Sequence, residues 1–429
     1  MNESAGFCRE LAEQAPDGPL LLALSGGLDS SLLLHLLIRA GLGPRLSVVH
    51  VDHQLHSESQ SWSRFCESLA ESHAVPFILE QVQVSRHEGL EAGARDARYG
   101  ALLPLAKALG ATLITAHHRS DQAETLLLRL LRGAGVQGLS AMRSLVVRDG
   151  VGIWRPMLAL DQATLTEWAL EASISWRDDP SNEDESLRRN FLRHRVVPLL
   201  REHWKGVDAT LARAADHMSE AAGLLEDIAV SDASEIGVEG PVLPVEPLHR
   251  FSEPRQRNLV RWWLQQQGAT APSQAVLAEL LAVQFAAADS QARVEWGDWA
   301  ARLYRGALYL SRRTGFAPWA GPECWPQGAA PPSLPNWRWS RENSDGAVPI
   351  WRPPGDLVLR GVTGSSKLHR HGMHQQVKEL WRSAGVPPWQ RRQWPLLYRD
   401  DQLVSVPLVG LADGLAVEDC EAWFLIPTM

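Results

Sequence analysis

Apolar and polar residues alternate along the first third of the chain in a pattern that predicts strands and helices in turn. Residues 19–24 form a continuous apolar run, which is typical of a buried strand, and residues 31–39 follow with the apolar face of a helix. Further strand-like runs lie at 45–53, 76–84 and 111–118, and helical runs lie at 57–73, 91–109 and 121–132. We therefore expect an α/β fold with a parallel sheet covered on both faces.

The pattern changes after residue 133. We predict a last strand at 151–158, helices at 161–175 and 186–201, and a largely helical region from 208 to about 312 that ends in strand-like segments at 292–296 and 301–310. Frequent Pro, Gly and Trp from 313 to 348 indicate a connector. Short apolar runs beyond 349, with one helix at about 373–384, indicate a small β-rich domain.

These changes divide the chain of 429 residues, a length typical of two or three domains, into four predicted segments. They are a parallel-sheet α/β domain at 1–207, a mostly helical middle domain at 208–315, a linker at 316–348 and a small α+β domain at 349–429.

The turn after the first predicted strand, residues 25–30, reads Ser-Gly-Gly-Leu-Asp-Ser. A glycine pair between a strand and a helix lets the backbone pass close to a phosphate, while the N–H groups at the helix start point at the negative charge. The lysine of the common P-loop is missing, so Mg²⁺, the helix dipole and other basic residues would neutralise the phosphates. A leaving pyrophosphate, as in adenylation, fits better than γ-phosphate transfer. An ordinary Gly-Gly turn is the structural alternative.

Two more polar clusters, at 50–53 and 117–121, follow predicted strands. Because ligands of such folds bind beyond the carboxyl ends of the strands, we expect both clusters to meet residues 25–30 at one edge of the sheet. Three converging clusters are what an active site requires.

The composition of the chain limits its expected location and the kinds of ligand that it would bind. The formal net charge is −8, and only four of the 42 basic residues are lysines; arginine suits phosphate recognition, or its excess reflects genome composition. No run of 18 apolar residues and no basic-then-apolar N-terminal signal occur, so we expect a cytoplasmic protein without a membrane segment. The four cysteines lack metal-binding spacing and predict buried thiols. Most of the 18 tryptophans should lie in cores or interfaces, and a few could stack on bases.

The order of motifs resembles the tRNA(Ile)-lysidine synthases, a family of the PP-loop ATP pyrophosphatase superfamily. The motifs are SGGLDS, HVDH, EAGARDARY, TAHHRSDQAETLLLRLLRGAGVQGLSAM, RPML and DDPSNEDESLRRNFLRHRVVP. The resemblance covers most of 19–200 and, more weakly, the stretch KELWRSAGVPPWQRRQWPLL near the C-terminus. SGGxDS alone is shared with thiolases and several synthetases, whereas the long DQAET segment with the later basic segment is far more specific.

This resemblance implies a ligase that forms a C–N bond. ATP would adenylate the C2 oxygen of the wobble cytidine in an isoleucine tRNA with a CAU anticodon, and pyrophosphate would leave. The side-chain amine of free L-lysine would then attack C2 and release AMP, giving lysidine. The implied partners are thus this tRNA and lysine, with ATP as co-substrate and Mg²⁺ as cofactor; a homodimer is left open.

The resemblance also implies roles for individual residues. The ATP-binding residues would be Ser25, Gly26, Gly27, Leu28, Asp29, Ser30 and His50, with Asp29 also holding Mg²⁺. The catalytic residues would be Asp29, Asp121 and Arg95. The candidates for lysine binding are Asp121, Glu124 and Arg98, and those for tRNA binding are Arg188, Arg189, Arg193, Arg195 and Lys378.

Simpler structural interpretations stand beside these roles. His117 and His118 could cap the next helix, and Arg95 and Arg98 could form a solvated helix face paired with Glu91 or Asp96. The basic residues from 188 to 195 would, without the resemblance, indicate a surface helix.

Two positions depart from the family pattern. The family usually shows HHxDDxxET, whereas Ser120 replaces the first aspartate here. The family's basic stretch near the C-terminus appears as a histidine-rich segment at 369–374, so a grip on the acceptor stem would be weaker or more sensitive to pH.

Three other functions compete with this one. A PP-loop tRNA thiolase normally needs a reactive cysteine or an iron–sulfur cluster, and an amide-forming synthetase would usually carry a glutaminase domain or an ammonia route. A nucleotide sensor on the same sheet would lack the basic helix and the extra domains.

Overall fold

The structure is a computed structural model that describes residues 3–54, 59–83, 90–285, 292–313, 321–334, 337–344 and 346–427. The chain divides into two units, Met1–Leu224 and Leu225–Met429. Among the described residues, no helix combines the length and the apolar character needed to cross a membrane.

The first unit alternates helices and strands, as predicted. Its helices are α1 (Glu3–Gln14), α2 (Leu28–Arg39), α3 (Ser59–Ser72), α4 (Leu90–Ala108), α5 (Arg119–Leu131), α6 (Val136–Leu139), α7 (Gln162–Glu171), α8 (Arg188–Phe191) and α9 (Val197–His203). A longer helix, α10 (Val207–Ile236), begins in this unit and ends in the second. Its strands are β1 (Leu20–Ala23), β2 (Leu46–Asp52), β3 (Phe77–Gln81), β4 (Thr112–Ile114), β5 (Leu145–Arg148) and β6 (Val151–Trp154).

The six strands form one sheet in the order β3-β2-β1-β4-β6-β5. All neighbours are parallel except β5, which pairs with β6 in the antiparallel sense. The predicted parallel α/β fold is therefore confirmed. The chain moves outward from β1 to β3 and then returns to place β4 on the other side of β1, which makes the gap between β1 and β4 the topological switch point of the sheet.

Strand β1 is buried on both faces, as its continuous apolar sequence requires. Leu20 and Leu22 pack into one hydrophobic cluster with the apolar side chains of α2, whereas Leu21 packs into a second cluster with Leu102 and Leu113. All three leucines of β1 are at most 1% exposed. Since burying a leucine stabilises a fold by roughly 1.5–3 kcal/mol, this central strand anchors the turn that follows it.

The predicted basic helix at 186–201 is interrupted. Residues Leu192–Val196 form a turn of π-helix between α8 and α9, and Pro198 lies in the first turn of α9. A proline cannot donate a backbone hydrogen bond, so a local change of helix type just before Pro198 follows from its position. The predicted basic helix at 186–201 is confirmed from residue 188 onward, and the π-helical turn within it is the feature that the sequence pattern did not show.

Over its described residues, the second unit combines three helices with sheets of four, five, three and two strands. Its helices are α11 (Glu253–Gln266), α12 (Gln274–Ala282) and α13 (Val377–Ser383). Its strands are β7 (Val242–Pro244), β8 (Arg293–Trp296), β9 (Trp299–Tyr304), β10 (Ala307–Arg312), β11 (Glu323–Trp325), β12 (Trp337–Ser340), β13 (Val348–Arg352), β14 (Leu357–Arg360), β15 (Lys367–Arg370), β16 (Met373–Gln376), β17 (Leu396–Arg399), β18 (Gln402–Val406), β19 (Gly410–Leu411) and β20 (Glu421–Pro427).

Three sequence predictions for this unit need correction. The run 301–310 is two strands, because Arg305 and Gly306 adopt positive φ values of 48° and 74° and reverse the chain. The predicted linker at 316–348 contributes β11 and β12, which pair with β14 and β20. The helix predicted at 373–384 begins only at Val377, because residues 373–376 form β16.

Tryptophans make much of the core of this unit. The rings of Trp325, Trp339 and Trp423 lie within 5.0–6.1 Å of one another. Trp381 is fully buried and donates its indole N–H to the carbonyl oxygen of Pro407 over 2.9 Å. These side chains explain why a segment rich in Pro and Trp forms paired strands: the indoles bury large apolar areas, and their N–H groups find partners.

Candidate active site

The candidate site lies at the switch point between β1 and β4. The end of β1 leads directly into residues 25–30, and the end of β4 leads into residues 115–121. Strand β2, on the other side of β1, ends at His50 to Asp52. The structure thus brings the three predicted polar clusters to one edge of the sheet, as the sequence led us to expect.

Local hydrogen bonds between its own residues organise the glycine turn. The backbone N–H of Ser25 donates to the hydroxyl of Ser30 over 3.1 Å, and the two serine hydroxyls lie 3.0 Å apart. The Ser30 hydroxyl also donates to the carbonyl oxygen of Gly27 over 3.2 Å. Gly27 is the N-cap of α2 and no side chain caps that helix, so its first N–H groups are suited to an anionic ligand.

Gly26 is a glycine for two independent reasons. Its φ of +80° is a left-handed conformation that other residues rarely adopt. A Cβ atom there would lie 2.8 Å from Nε1 of Trp62 and 2.9 Å from Sγ of Cys66. The close approach of helix α3 to this turn therefore depends on the missing side chain.

His118 links the carboxylate of the glycine turn to that of α5. Its Nδ1 accepts a hydrogen bond from the backbone N–H of Ser120 over 3.2 Å, which assigns the proton to Nε2. This Nε2 lies 3.7 Å from the Asp29 carboxylate and 3.4 Å from that of Asp121. His118 is also the N-cap of α5, so the capping interpretation is correct for this histidine. The cap places its imidazole between the two acids.

Asp121 and Glu124 form ion pairs with two arginines of the later basic segment. Arg189 donates to Glu124 over 2.8 Å and to Asp121 over 2.9 Å. Arg193 donates to Glu124 over 2.7 Å and to Asp121 over 3.2 Å. The Glu124 side chain is 2% exposed, and an unpaired charge at that depth would be very costly. We call these four residues the acid–arginine cluster.

The surroundings shift the pKa values of the two aspartates beside His118 in opposite directions. Burial raises the pKa of Asp29, and the interaction with His118 offsets only part of that effect. Burial also opposes ionisation of Asp121, but His118, Arg189 and a hydrogen bond from the His118 backbone outweigh it and hold the pKa of Asp121 well below its ordinary value. Asp121 is therefore a stable anion and a weak base.

Asp29 is the residue that could hold Mg²⁺. Its carboxylate accepts a hydrogen bond from Nε2 of Gln162 over 3.2 Å and keeps about a third of its surface exposed. Within the described ranges, no three His, Cys, Asp or Glu side chains come together as a metal cage. Mg²⁺ usually binds through one or two carboxylates together with substrate phosphates, and a half-open carboxylate beside a phosphate turn fits that mode.

The histidines at the ends of β2 and β4 are held neutral. His50 donates from Nδ1 to the carbonyl oxygen of Leu24 over 2.9 Å, and burial lowers its pKa. Burial, with Arg98 nearby, lowers the pKa of His53 to about 4. Burial also lowers the pKa of His117 to about 3, and its Nδ1 lies 2.9 Å from the Thr115 hydroxyl. Neutral imidazoles can accept a hydrogen bond from a base or a ribose.

The remaining candidate residues have separate surroundings of their own. Arg98 lies 3.5 Å from Nε2 of His53, which places it beside the His50–His53 stretch. Arg95 stacks over the ring of Tyr99, 5.2 Å from its centre. Arg188 and Arg195 are exposed, and Arg195 pairs with Glu185 over 2.9 Å. Lys378 is exposed on α13 in the second unit.

The structure shows the contacts of Ser120 and of the histidine-rich segment, the two departures from the family pattern. Ser120 accepts a hydrogen bond from Arg201 over 3.3 Å, and the same guanidinium pairs with Asp208 over 2.7 Å. His369 and His374 face each other across the β15–β16 hairpin, with ring centres 4.8 Å apart. With Lys367 and Arg399 they line an open cavity of about 550 Å³.

Sequence reasoning missed several residues that shape the site. Gln122 clamps the backbone of Met142 through two hydrogen bonds of 2.7 and 2.9 Å. Arg129 donates to the carbonyl oxygens of Gly138 and Ala141 over 2.7 and 2.8 Å. The spacing of Gln122 and Arg129 on α5, beside the acidic pair, was the available signal. These contacts hold the glycine-rich loop against α5.

A parallel sheet whose switch point carries this turn is a nucleotide-binding domain of the PP-loop class, and residues 3–200 match the family described as PP-loop domain. Residues 243–309 match the family described as TilS substrate binding domain, and residues 357–426 match the TilS substrate C-terminal domain.

Curated relatives extend the match to nearly the whole chain. A tRNA(Ile)-lysidine synthase of Pseudomonas syringae is 37% identical over 95% of this chain and 92% of its own. Those of Escherichia coli O157:H7 and Actinobacillus pleuropneumoniae are 35% and 34% identical, over 92% and 90% of this chain and 94% and 95% of their own. The chain belongs to the tRNA(Ile)-lysidine synthase family, whose members are ligases that modify tRNA with ATP.

Replacing Gly26 with alanine should weaken both the fold and ATP binding. The left-handed conformation alone costs an alanine about 1–2 kcal/mol, and the new methyl group would displace Trp62 or Cys66. We expect a lower urea midpoint and a smaller rise in thermal stability on adding ATP. Gly100→Ala is the control, because nothing lies within 4 Å of its Cβ position on α4. Equal stability of both variants would contradict this account.

Asp121→Asn should change how stability depends on pH. A carboxylate whose pKa is lowered by folding stabilises the protein above its unfolded pKa of about 3.9, and that contribution is lost as the pH falls. The variant should therefore be less stable than the parent by about 3 kcal/mol at pH 7, with a difference that begins to shrink below about pH 5 and keeps shrinking as the pH is lowered further. Urea unfolding at a series of pH values measures this. A difference that stays constant with pH would show that Asp121 is not held as an anion.

Proposed function

We propose that this protein attaches free lysine to C2 of the wobble cytidine in the isoleucine tRNA with a CAU anticodon, through an adenylated cytidine. The observation that carries the proposal is the arrangement at the switch point: a phosphate-type turn, a partly exposed carboxylate and a buried pair of acids meet at one edge of the sheet. Membership of the family supports tRNA as the substrate and ATP as the activator.

In this proposal the glycine turn and α2 hold the triphosphate. The first N–H groups of α2 and the hydroxyls of Ser25 and Ser30 face the phosphates, and the pyrophosphate leaves from this polar cradle. Bound at Asp29, Mg²⁺ would neutralise charge on the phosphates. Gln162 and His118 orient the Asp29 carboxylate for that contact.

We place the side chain of the substrate lysine beside the acid–arginine cluster. Asp121 is a weak base, so it suits holding the ammonium group better than removing its proton. Arg189 and Arg193 hold Asp121 and Glu124 in place, so their predicted role in tRNA binding would come in addition to this one.

The tRNA would contact exposed basic residues. Arg188 and Arg195 at the rim of the first unit remain the proposed contacts with the anticodon stem, and Lys378 remains a proposed contact in the second unit. Arg95 remains a proposed catalytic residue, and Arg98 remains a proposed contact of the lysine substrate. A cytoplasmic location and a homodimer also remain proposals.

Thiolation is the competing function closest in chemistry, and the two cysteines of the first unit, both buried, argue against it. Of the four thiols predicted to be buried, Cys324 is exposed and Cys420 is partly exposed, and both lie in the second unit. Burial raises the pKa of the Cys66 thiol to about 12, and burial also raises that of Cys8. A thiol that stays protonated at neutral pH is a poor nucleophile. Cys66 packs against the glycine turn and serves the core there.

The decisive assay offers the protein ATP, labelled lysine and isoleucine tRNA transcripts that carry either a CAU or a GAU anticodon. We expect label in the CAU transcript alone and pyrophosphate release that depends on that transcript. The GAU transcript serves as the matched control, since only its anticodon differs. Label in neither transcript would reject the proposal, and pyrophosphate release without tRNA would favour another acceptor.

Asp29→Ala should abolish turnover and leave the fold intact. The substitution removes the proposed ligand of Mg²⁺ and the partner of His118, so we expect lysidine formation to fall at least about a hundredfold. Asp17→Ala, at an exposed turn outside the crevice, is the control and should keep full activity. Circular dichroism and urea unfolding verify the fold of both variants. Product formation close to that of the parent would show that Asp29 has another role.

A further inference from the structure

Two carbonyl groups of the glycine turn are held from outside the crevice. The indole Nε1–H of Trp62, on α3, donates to the carbonyl oxygen of Ser25 over 2.6 Å. The backbone N–H of Arg177 donates to the carbonyl oxygen of Gly26 over 2.9 Å. Both donors lie far along the chain from the turn, and neither belongs to the residues that form the phosphate cradle.

These bonds decide which way the N–H groups of the turn point. In a trans peptide the C=O and the following N–H are antiparallel and share one plane. Holding the Ser25 carbonyl against Trp62 therefore turns the N–H of Gly26 away from α3. Holding the Gly26 carbonyl against Arg177 likewise turns the N–H of Gly27 away from Arg177. This N–H lies 3.4 Å from the Ser25 hydroxyl, on the side of the phosphate cradle.

The alternative orientation would harm phosphate binding. Glycine has no Cβ, so a peptide next to Gly26 can rotate at little steric cost. Rotation of the Ser25–Gly26 peptide would replace an N–H donor with a carbonyl oxygen, and an oxygen repels a polyanion. A glycine turn thus needs an external hydrogen bond to keep its donors toward the ligand.

Trp62 is itself held in position. The guanidinium of Arg177 lies 5.9 Å from the Trp62 ring and 5.3 Å from that of Phe65, and it donates to the Ser61 hydroxyl over 2.9 Å. The indole is packed close to Gly26, where a Cβ would meet its Nε1 at 2.8 Å. One arginine thus supplies a backbone donor to the turn and a side chain that supports the second donor.

We propose that Trp62 is a positioning residue of the triphosphate site, which presets the Ser25–Gly26 peptide so that its N–H faces the phosphates. The inference rests on the proposed use of ATP at this turn and names a residue outside it that sets affinity for the phosphates. In this inference Trp62 acts through the backbone of the turn and not through a contact of its own with the nucleotide.

The test compares Trp62→Phe with Trp296→Phe in the full-length protein. Each substitution keeps an aromatic ring and removes one indole N–H bonded to a backbone carbonyl; for Trp296 the acceptor is Thr270 in the second unit, at 2.8 Å. Binding of ATP and of adenosine is measured by calorimetry, and KM values for ATP and for lysine are measured in the tRNA assay.

For Trp62→Phe we expect the Kd and KM for ATP to rise about tenfold, which is the loss expected for one hydrogen bond that orients a donor to a charged group. Adenosine binding and the KM for lysine should stay unchanged, and Trp296→Phe should resemble the parent in every measurement. A merely structural role would weaken ATP and adenosine alike, or leave both unchanged, and either result would overturn the inference. If the parent protein itself failed to bind ATP, that result would contradict both the proposed function and the role of Trp62.

Discussion

The pairing of two buried acids with two arginines is the constraint on which the catalytic unit depends. Glu124 is almost completely buried on α5, and a carboxylate at that depth requires charged partners. Arg189 and Arg193 supply them from a segment that lies 65 and 69 residues further along the chain. This requirement brings α8 and the π-helical turn against α5, beside the carboxyl edge of the sheet.

The same pairing gives Arg189 and Arg193 carboxylate partners within the protein, so any contact with a phosphate would come in addition. Arg189 and Arg193 lie one helical turn apart, so both guanidiniums reach the same two carboxylates. The π-helical turn begins at Leu192, just before Arg193, so the change of helix type falls at the cluster itself. A local break in regular structure at a charged cluster is a frequent feature of functional sites. The basic segment therefore has one face in the site and one, with Arg188 and Arg195, toward solvent.

Much of the catalytic unit could be predicted from local sequence. The apolar run at β1, the glycine turn and the start of α2 follow from short-range requirements: burial of a central strand, a left-handed φ at Gly26 and free N–H groups at a helix start. The later strands were harder to place. The turn at Arg305–Gly306 and the strands within 316–348 depend on partners elsewhere in the unit, and their own residues resemble loops.

The sequence by itself determined the class of the fold, the phosphate-type turn and the set of polar residues at the carboxyl edge, because each depends on neighbours within a few positions. Only the tertiary structure decided which of those residues are bonded to one another. It showed that His118 lies between Asp29 and Asp121, that Arg189 and Arg193 neutralise the acids, and that Trp62 holds the turn. Hydrogen bonds and ion pairs act over a few ångströms of space, and residues far apart along a chain reach that separation only through the packing of the whole unit.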